Sequence, residues 1–243
     1  MSTTRASESA AAGEARVRSR LDVQHRYGLL LFATVLLVAV QGIAPPGPLE
    51  HVVVTALAAA SVQLAVRATD PGPRVTYLTA AFAWGVLLVA IVRALAGHGA
   101  DGVSLGTTAL LVAIGPPAVA VGILRDLRAT GQVRLAAVMG VLSFYMLLGM
   151  VFAFSYGAID DFGHEPVFAD GVAADASACL YFSFTTLTTV GFGDIVAGTD
   201  LGRTVAVFEA LLGQIYLVTV VSLIVSNLGR PARRARAGGR LAS

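Results

Sequence analysis

Six apolar stretches, each long enough to cross a bilayer, limit this chain to a narrow set of folds. A helical span needs roughly 20 apolar residues, and the stretches at 28–44, 49–66, 75–96, 103–124, 133–157 and 201–228 qualify. In lipid every backbone N–H and C=O must be satisfied internally, so runs of this kind fold as helices. Clear breakers separate them: Pro45-Pro46-Gly47-Pro48, then Asp70-Pro71-Gly72-Pro73, then Gly97-His98-Gly99 with Asp101 and Gly102. The loops are short, which makes the first four helices adjacent antiparallel neighbours. Only 13% of the 243 residues are charged, against about 25% in a soluble domain. The expected fold class is an all-α integral membrane protein with six transmembrane helices.

Arginine placement sets the expected orientation. The chain has no lysine, and 15 of its 17 basic residues fall on one side of the predicted spans. They are Arg5, Arg16, Arg18, Arg20 and Arg26 before the first span, and Arg67 and Arg74 beside the second loop. Arg125, Arg128 and Arg134 lie between spans four and five, and Arg230, Arg233, Arg234, Arg236 and Arg240 follow span six. The positive-inside rule places that side, with both termini, in the cytoplasm of a cell bounded by the plasma (inner) membrane. The long mixed tail before the first span suits a cytoplasmic tail better than a cleaved signal peptide. The single cysteine, Cys179, forms no intramolecular disulfide.

The opposite side is acidic: Asp160, Asp161, Glu165, Asp170, Asp175, Asp194 and Asp200 occur there with no arginine among them. Carboxylates around a mouth would concentrate cations, although screening over about 8 Å limits distant ones. An ordinary solvated loop is the other reading.

Between spans five and six, Ala174 to Thr188 reads as a short helix with Asp175 or Ser177 as N-cap. It is too short to cross a bilayer and is expected to be re-entrant, its C-terminal end carrying about half a negative charge. Thr188-Thr189-Val190-Gly191-Phe192-Gly193-Asp194 follows. Two glycines two apart free alternate residues for backbone angles that a Cβ resists. Such a segment lines up several carbonyls along one axis, and four of them can replace the water shell of a potassium ion. Val190 and Phe192 would point away from the ion path.

The run Tyr181-Phe182-Ser183-Phe184-Thr185-Thr186-Leu187-Thr188-Thr189-Val190-Gly191-Phe192-Gly193-Asp194 resembles the pore helix and filter of tetrameric potassium channels of prokaryotic type. The resemblance covers about 131–230, and residues 1–130 hold no comparably specific motif. It implies a two-helix pore module in which the carbonyls of Thr189, Val190, Gly191 and Phe192 hold potassium ions, the Thr189 hydroxyl completing the innermost site. Gly193, Asp194 and Tyr181 would support the filter, Asp194 bonding back to the pore helix at Tyr181. Where some members have a glutamate behind the filter, this chain has Thr185. Gly213 falls at the family's hinge position; close helix packing is the competing role for it. The resemblance also implies a homotetramer.

Gln214, Leu217, Val221 and Val225 recur at helical spacing in the sixth span and could line an inner cavity. Glu209, a carboxylate in an apolar run, is costly unless paired; a structural bond to the pore helix is the favoured role. The fourth span has no arginines, so gating by a charged fourth helix is not expected, and Gly115-Pro116-Pro117 should break that helix midway. Arg93 reads as a snorkelling interfacial residue. His51, His98 and His164 are isolated on the acidic side. No catalytic, metal-ligand or phosphate-loop constellation is present, so neither an enzyme, an organic cofactor nor a nucleic-acid partner is expected.

The expected organisation is a cytoplasmic tail at 1–27, a four-helix region at 28–130, a pore domain at 131–230 and a basic tail at 231–243 that meets lipid headgroups. The expected function is passive, potassium-selective conduction. The alternatives are a non-conducting sensor or assembly subunit, or a subunit of a potassium transporter.

Overall fold

The computed structural model describes residues 24–69, 71–97, 101–130 and 135–228. Most of the 1–27 tail, the basic tail at 231–243 and His98 lie outside the described residues, as do the side chains of Val221 and Val225. Six helices among the described residues are long and apolar enough to cross a membrane, and a shorter apolar helix joins them. The helices are α1 (Gln24–Ile43), α2 (Pro48–Thr69), α3 (Pro73–Leu95), α4 (Gly102–Ala113), α5 (Gly115–Thr130), α6 (Leu135–Phe162), α7 (Ala176–Leu187) and α8 (Asp200–Leu228). The protein is an all-helical, multi-pass membrane protein.

Helix ends follow local chemistry. Pro48 and Pro73 open α2 and α3, at a position where a missing N–H costs nothing. Asp101 caps α4 by accepting from the Ser104 N–H at 3.0 Å. The expected break in the fourth span is confined to Ile114, between α4 and α5. Pro116 and Pro117 stand in the first turn of α5, where they need no N–H, so α4 and α5 together supply one span, Gly102–Arg125. At Gly115 a Cβ would come within 2.9 Å of Leu147 Cδ1, so the missing side chain lets α5 approach α6.

Arginine side chains tie helix ends together. Arg125 donates to the Thr69 carbonyl at 2.7 Å, satisfying an end group of α2. Arg93 does more than snorkel: it pairs with Asp101 at 2.8 Å and pins the end of α3 to the start of α4.

The longest-range packing centres on α6. Its Leu147, Met150 and Phe154 share one buried core with Leu30 and Leu37 of α1 and with Leu180 of α7. Helix α6 therefore joins the first four spans to the segment that follows it. Helix α3 sits at the edge, packing Ala83 and Val86 against Ala59, Val62 and Val66 of α2. Small residues let helix backbones approach where lipid removes the hydrophobic drive. Its Trp84 and Leu88 face outward.

Candidate functional site

Helix α7 has 12 residues, about 18 Å at 1.5 Å per residue, and cannot cross a hydrocarbon core of about 30 Å. Asp175 is its N-cap, accepting from the Ala178 N–H at 2.8 Å. Ser177 instead reaches the Gly42 carbonyl of α1 at 3.5 Å. At the other end the Thr188 hydroxyl donates to the Phe184 carbonyl at 2.6 Å and tightens the last turn.

The chain then doubles back on that turn. The Thr189 N–H donates to the Thr186 carbonyl at 2.9 Å, and the Thr185 carbonyl accepts from both Val190 (2.9 Å) and Gly191 (3.1 Å). Positive φ recurs at every second residue: 59° at Thr189, 50° at Gly191 and 81° at Gly193. Glycine takes this region freely, whereas a β-branched threonine there is strained. Alternating handedness of this kind is the backbone geometry that can turn successive carbonyls to one side of a segment. Phe192 is 70% exposed, and its ring lies parallel to that of Tyr181, with centroids 6.1 Å apart. The Tyr181 hydroxyl donates to Asp194 Oδ2 at 2.8 Å, while Asp194 Oδ1 accepts from the Ile195 N–H at 3.1 Å. At Thr185, where a glutamate would sit in some channels, the hydroxyl donates to the Phe182 carbonyl at 3.1 Å.

The loops on either side of α7 and the 189–194 segment are zipped together. Ala169 N–H donates to the Val196 carbonyl at 2.9 Å and Gly198 N–H to the Val167 carbonyl at 2.8 Å. Beneath them Phe168, Phe182 and Tyr156 form an edge-on aromatic block, with Tyr156 and Phe182 centroids 4.9 Å apart. Such edge contacts add to simple burial.

Behind α7 lies a buried polar knot. Glu209 of α8 has no exposed surface. It accepts from the Tyr156 hydroxyl of α6 at 2.7 Å and meets the Ser183 hydroxyl of α7 at 2.5 Å. Ser183 Oγ also lies 2.8 Å from the Gly149 carbonyl. One carboxylate thus ties three helices, and only the Glu209 end was legible beforehand. Tyr156 and Ser183 gave a weak signal, each a polar tip in an apolar run.

A second knot stands at the other end of α7. The Tyr145 hydroxyl donates to the Leu187 carbonyl at 2.9 Å, and the Tyr216 hydroxyl donates to the Val141 carbonyl at 2.5 Å. The rings of Phe144 and Tyr216 stack at 4.5 Å. Gly213 lies in an uninterrupted stretch of α8, where any Cβ would overlap the Leu187 carbonyl oxygen. Close approach, the competing role for this glycine, is what the geometry displays. Gln214 and Leu217 are exposed on α8.

The acidic residues are less free than their sequence suggests. Asp160 accepts from the Val167 N–H at 2.8 Å and Asp161 from the Gly102 N–H at 2.6 Å. With Asp175 and Asp194 engaged as above and Asp200 beside Arg203 at 3.8 Å, Glu165 and Asp170 remain as the outlying exposed carboxylates.

Comparison with known proteins agrees with this geometry. Residues 140–230 match the family described as "Ion channel", a family of channels rather than enzymes. A stretch of 51 residues is 39% identical to the calcium-activated potassium channel slowpoke of Drosophila melanogaster, covering 21% of this chain and 4% of that protein. A stretch of 87 residues is 29% identical to the inward rectifier potassium channel Kirbac3.1 of Paramagnetospirillum magnetotacticum, covering 36% of this chain and 28% of that protein. The chain thus spans less than a third of the length of either relative. No solved structure matches it. From α6 to the end of α8, this chain carries an ion-channel pore domain with distant similarity to potassium channels.

Proposed function

We propose that the protein is a potassium-selective channel in which four copies each contribute one 189–194 segment to a common axis. The observation that carries this reading is the alternation of positive φ at Thr189, Gly191 and Gly193 directly after a re-entrant helix. Carbonyls of Thr189, Val190, Gly191 and Phe192 then replace the hydration shell of K+, and the Thr189 hydroxyl serves the innermost site. The C-terminal dipole end of α7 favours a cation at the same axis. Tyr181, Gly193 and Asp194 brace the filter, and Gln214 and Leu217 face the inner cavity with Val221 and Val225 further along α8. One segment cannot surround an ion, so the homotetramer is part of the proposal. Both termini lie in the cytoplasm, and conduction is passive.

Purified protein in planar bilayers tests this directly. Under a KCl gradient, with sodium replacing potassium on one side, the reversal potential should follow potassium alone. A reversal potential indifferent to the potassium gradient overturns the selectivity, and a monodisperse monomer in mild detergent overturns the assembly.

A further inference from the structure

Where α1 ends and α2 begins, the first, second, fourth and fifth spans meet the start of the pore helix around a cavity of about 280 Å³. Gln41, Glu50, Leu105, Phe154, Asp175 and Cys179 are among its walls, so five helices or their caps contribute to it. Three features of the lining are unbalanced in the same direction.

Gln41 is only 3% exposed, and its Oε1 has no hydrogen-bond donor. A buried acceptor left in this state is rare in native proteins and calls for a donor from outside the chain. Glu50 and Asp175 are close enough to act on each other electrostatically. Neither takes part in an ion pair among the described residues, where the pairs are Arg93–Asp101 and Arg203–Asp200. Asp175 Oδ1 serves the α7 cap. His51 is on the wall as well, but its Nε2 is engaged with Ser104 Oγ at 2.8 Å. The rest of the lining named above is apolar.

The cavity therefore lacks a species with positive charge, N–H donors and an apolar body. A bare metal ion fits poorly, since no group of three His, Cys, Asp or Glu side chains able to hold one occurs among the described residues. We propose that this cavity binds a small organic ammonium ion, its N–H groups shared by Glu50, Asp175 and Gln41 Oε1 and its apolar part against Leu105 and Phe154. Such a ligand offsets the Glu50–Asp175 repulsion and ties α2 to the cap of the pore helix. The same ammonium group comes either from a free amine or from a phosphatidylethanolamine headgroup. Binding is independent of whether the pore is potassium-selective.

Equilibrium binding of radiolabelled 2-phenylethylammonium to the full chain in phosphatidylcholine nanodiscs tests the site. The expected result is saturable binding of one probe per chain. 2-Phenylethanol, which lacks the charge, and the trimethylated analogue, which lacks N–H donors, should compete at least tenfold less well. Glu50→Gln and Gln41→Leu should each weaken binding at least tenfold, and Glu165→Gln, on an exposed carboxylate elsewhere, should not. Ala153→Leu, at an apolar residue of the same wall, narrows the cavity and should also abolish binding, and elution of each variant at the wild-type position in size-exclusion chromatography shows that it is folded. Competition by added phosphatidylethanolamine assigns the lipid as source, and its absence assigns a free amine. Failure of the folded wild-type protein to bind saturably, or equal competition by the alcohol, overturns the proposal.

Discussion

Glu209 on α8 and Ser183 on α7 meet at 2.5 Å in a place with no solvent access. The contact joins the helix that follows the 189–194 segment to the helix that precedes it. Position in the chain alone would leave these two residues 26 apart.

Truncation of that carboxylate should therefore be costly. Glu209→Ala leaves the Tyr156 hydroxyl without its acceptor, and such a buried orphan costs about 1–3 kcal/mol, whereas Ser183 still donates to the Gly149 carbonyl. We expect a lower midpoint of thermal unfolding in detergent, with Glu209→Gln retaining more stability because an amide oxygen still accepts. A Glu209→Ala midpoint equal to wild type would show that the knot contributes nothing.

Tyr181→Phe removes the hydroxyl that holds Asp194 and keeps the ring beside Phe192. The unfolding midpoint should stay unchanged, since the bond itself is exposed to solvent. Potassium flux should instead decay faster after activation, as the filter loses its brace. Stopped-flow flux from liposomes reads this, and identical decay in both proteins would remove Tyr181 from the support of the filter.

Gly213 separates a hinge from a contact. A methyl at this position overlaps the Leu187 carbonyl, and overpacking typically costs about 1–3 kcal/mol. Gly213→Ala should lower the unfolding midpoint and yield of the protein. A variant that folds with wild-type stability but conducts with altered open probability would favour the hinge.

Gly191→Ala places a side chain at φ 50°, where a left-handed residue other than glycine costs about 1–2 kcal/mol. No heavy atom of the same chain lies within 4 Å of the added Cβ, so the protein should still fold. Potassium flux should fall below detection. Retained selective flux would contradict the assignment of the filter.

Much of this architecture was legible because lipid makes helices nearly obligatory. The six spans lie close to their expected limits, and α7 with its Asp175 cap is written in local sequence. Alternate positive φ at the two glycines was also readable, since glycine is the residue that tolerates it. What could not be read depends on which faces meet. Asp160 and Asp161 looked like free outer charges, yet they accept from Val167 and Gly102 because α6 runs on to Phe162 and reaches the start of α4. The roles of Tyr145 and Tyr216 arise from α6 and α8 crossing beside Leu187, which no spacing within one helix reveals. At Ile114 the sequence suggested a larger break than one residue, because prolines cost least where a helix is just beginning.

Leu180 of the pore helix belongs to the same packed core as Leu30 and Leu37 of α1. The scaffold beneath the 189–194 segment is thus shared property of the first helix and the last pair. Displacement of α1 would press on α7 at first hand, without passing through α8. This pore is built as a keystone set among its neighbours, and cutting away the first four helices would remove one of the walls that holds it upright.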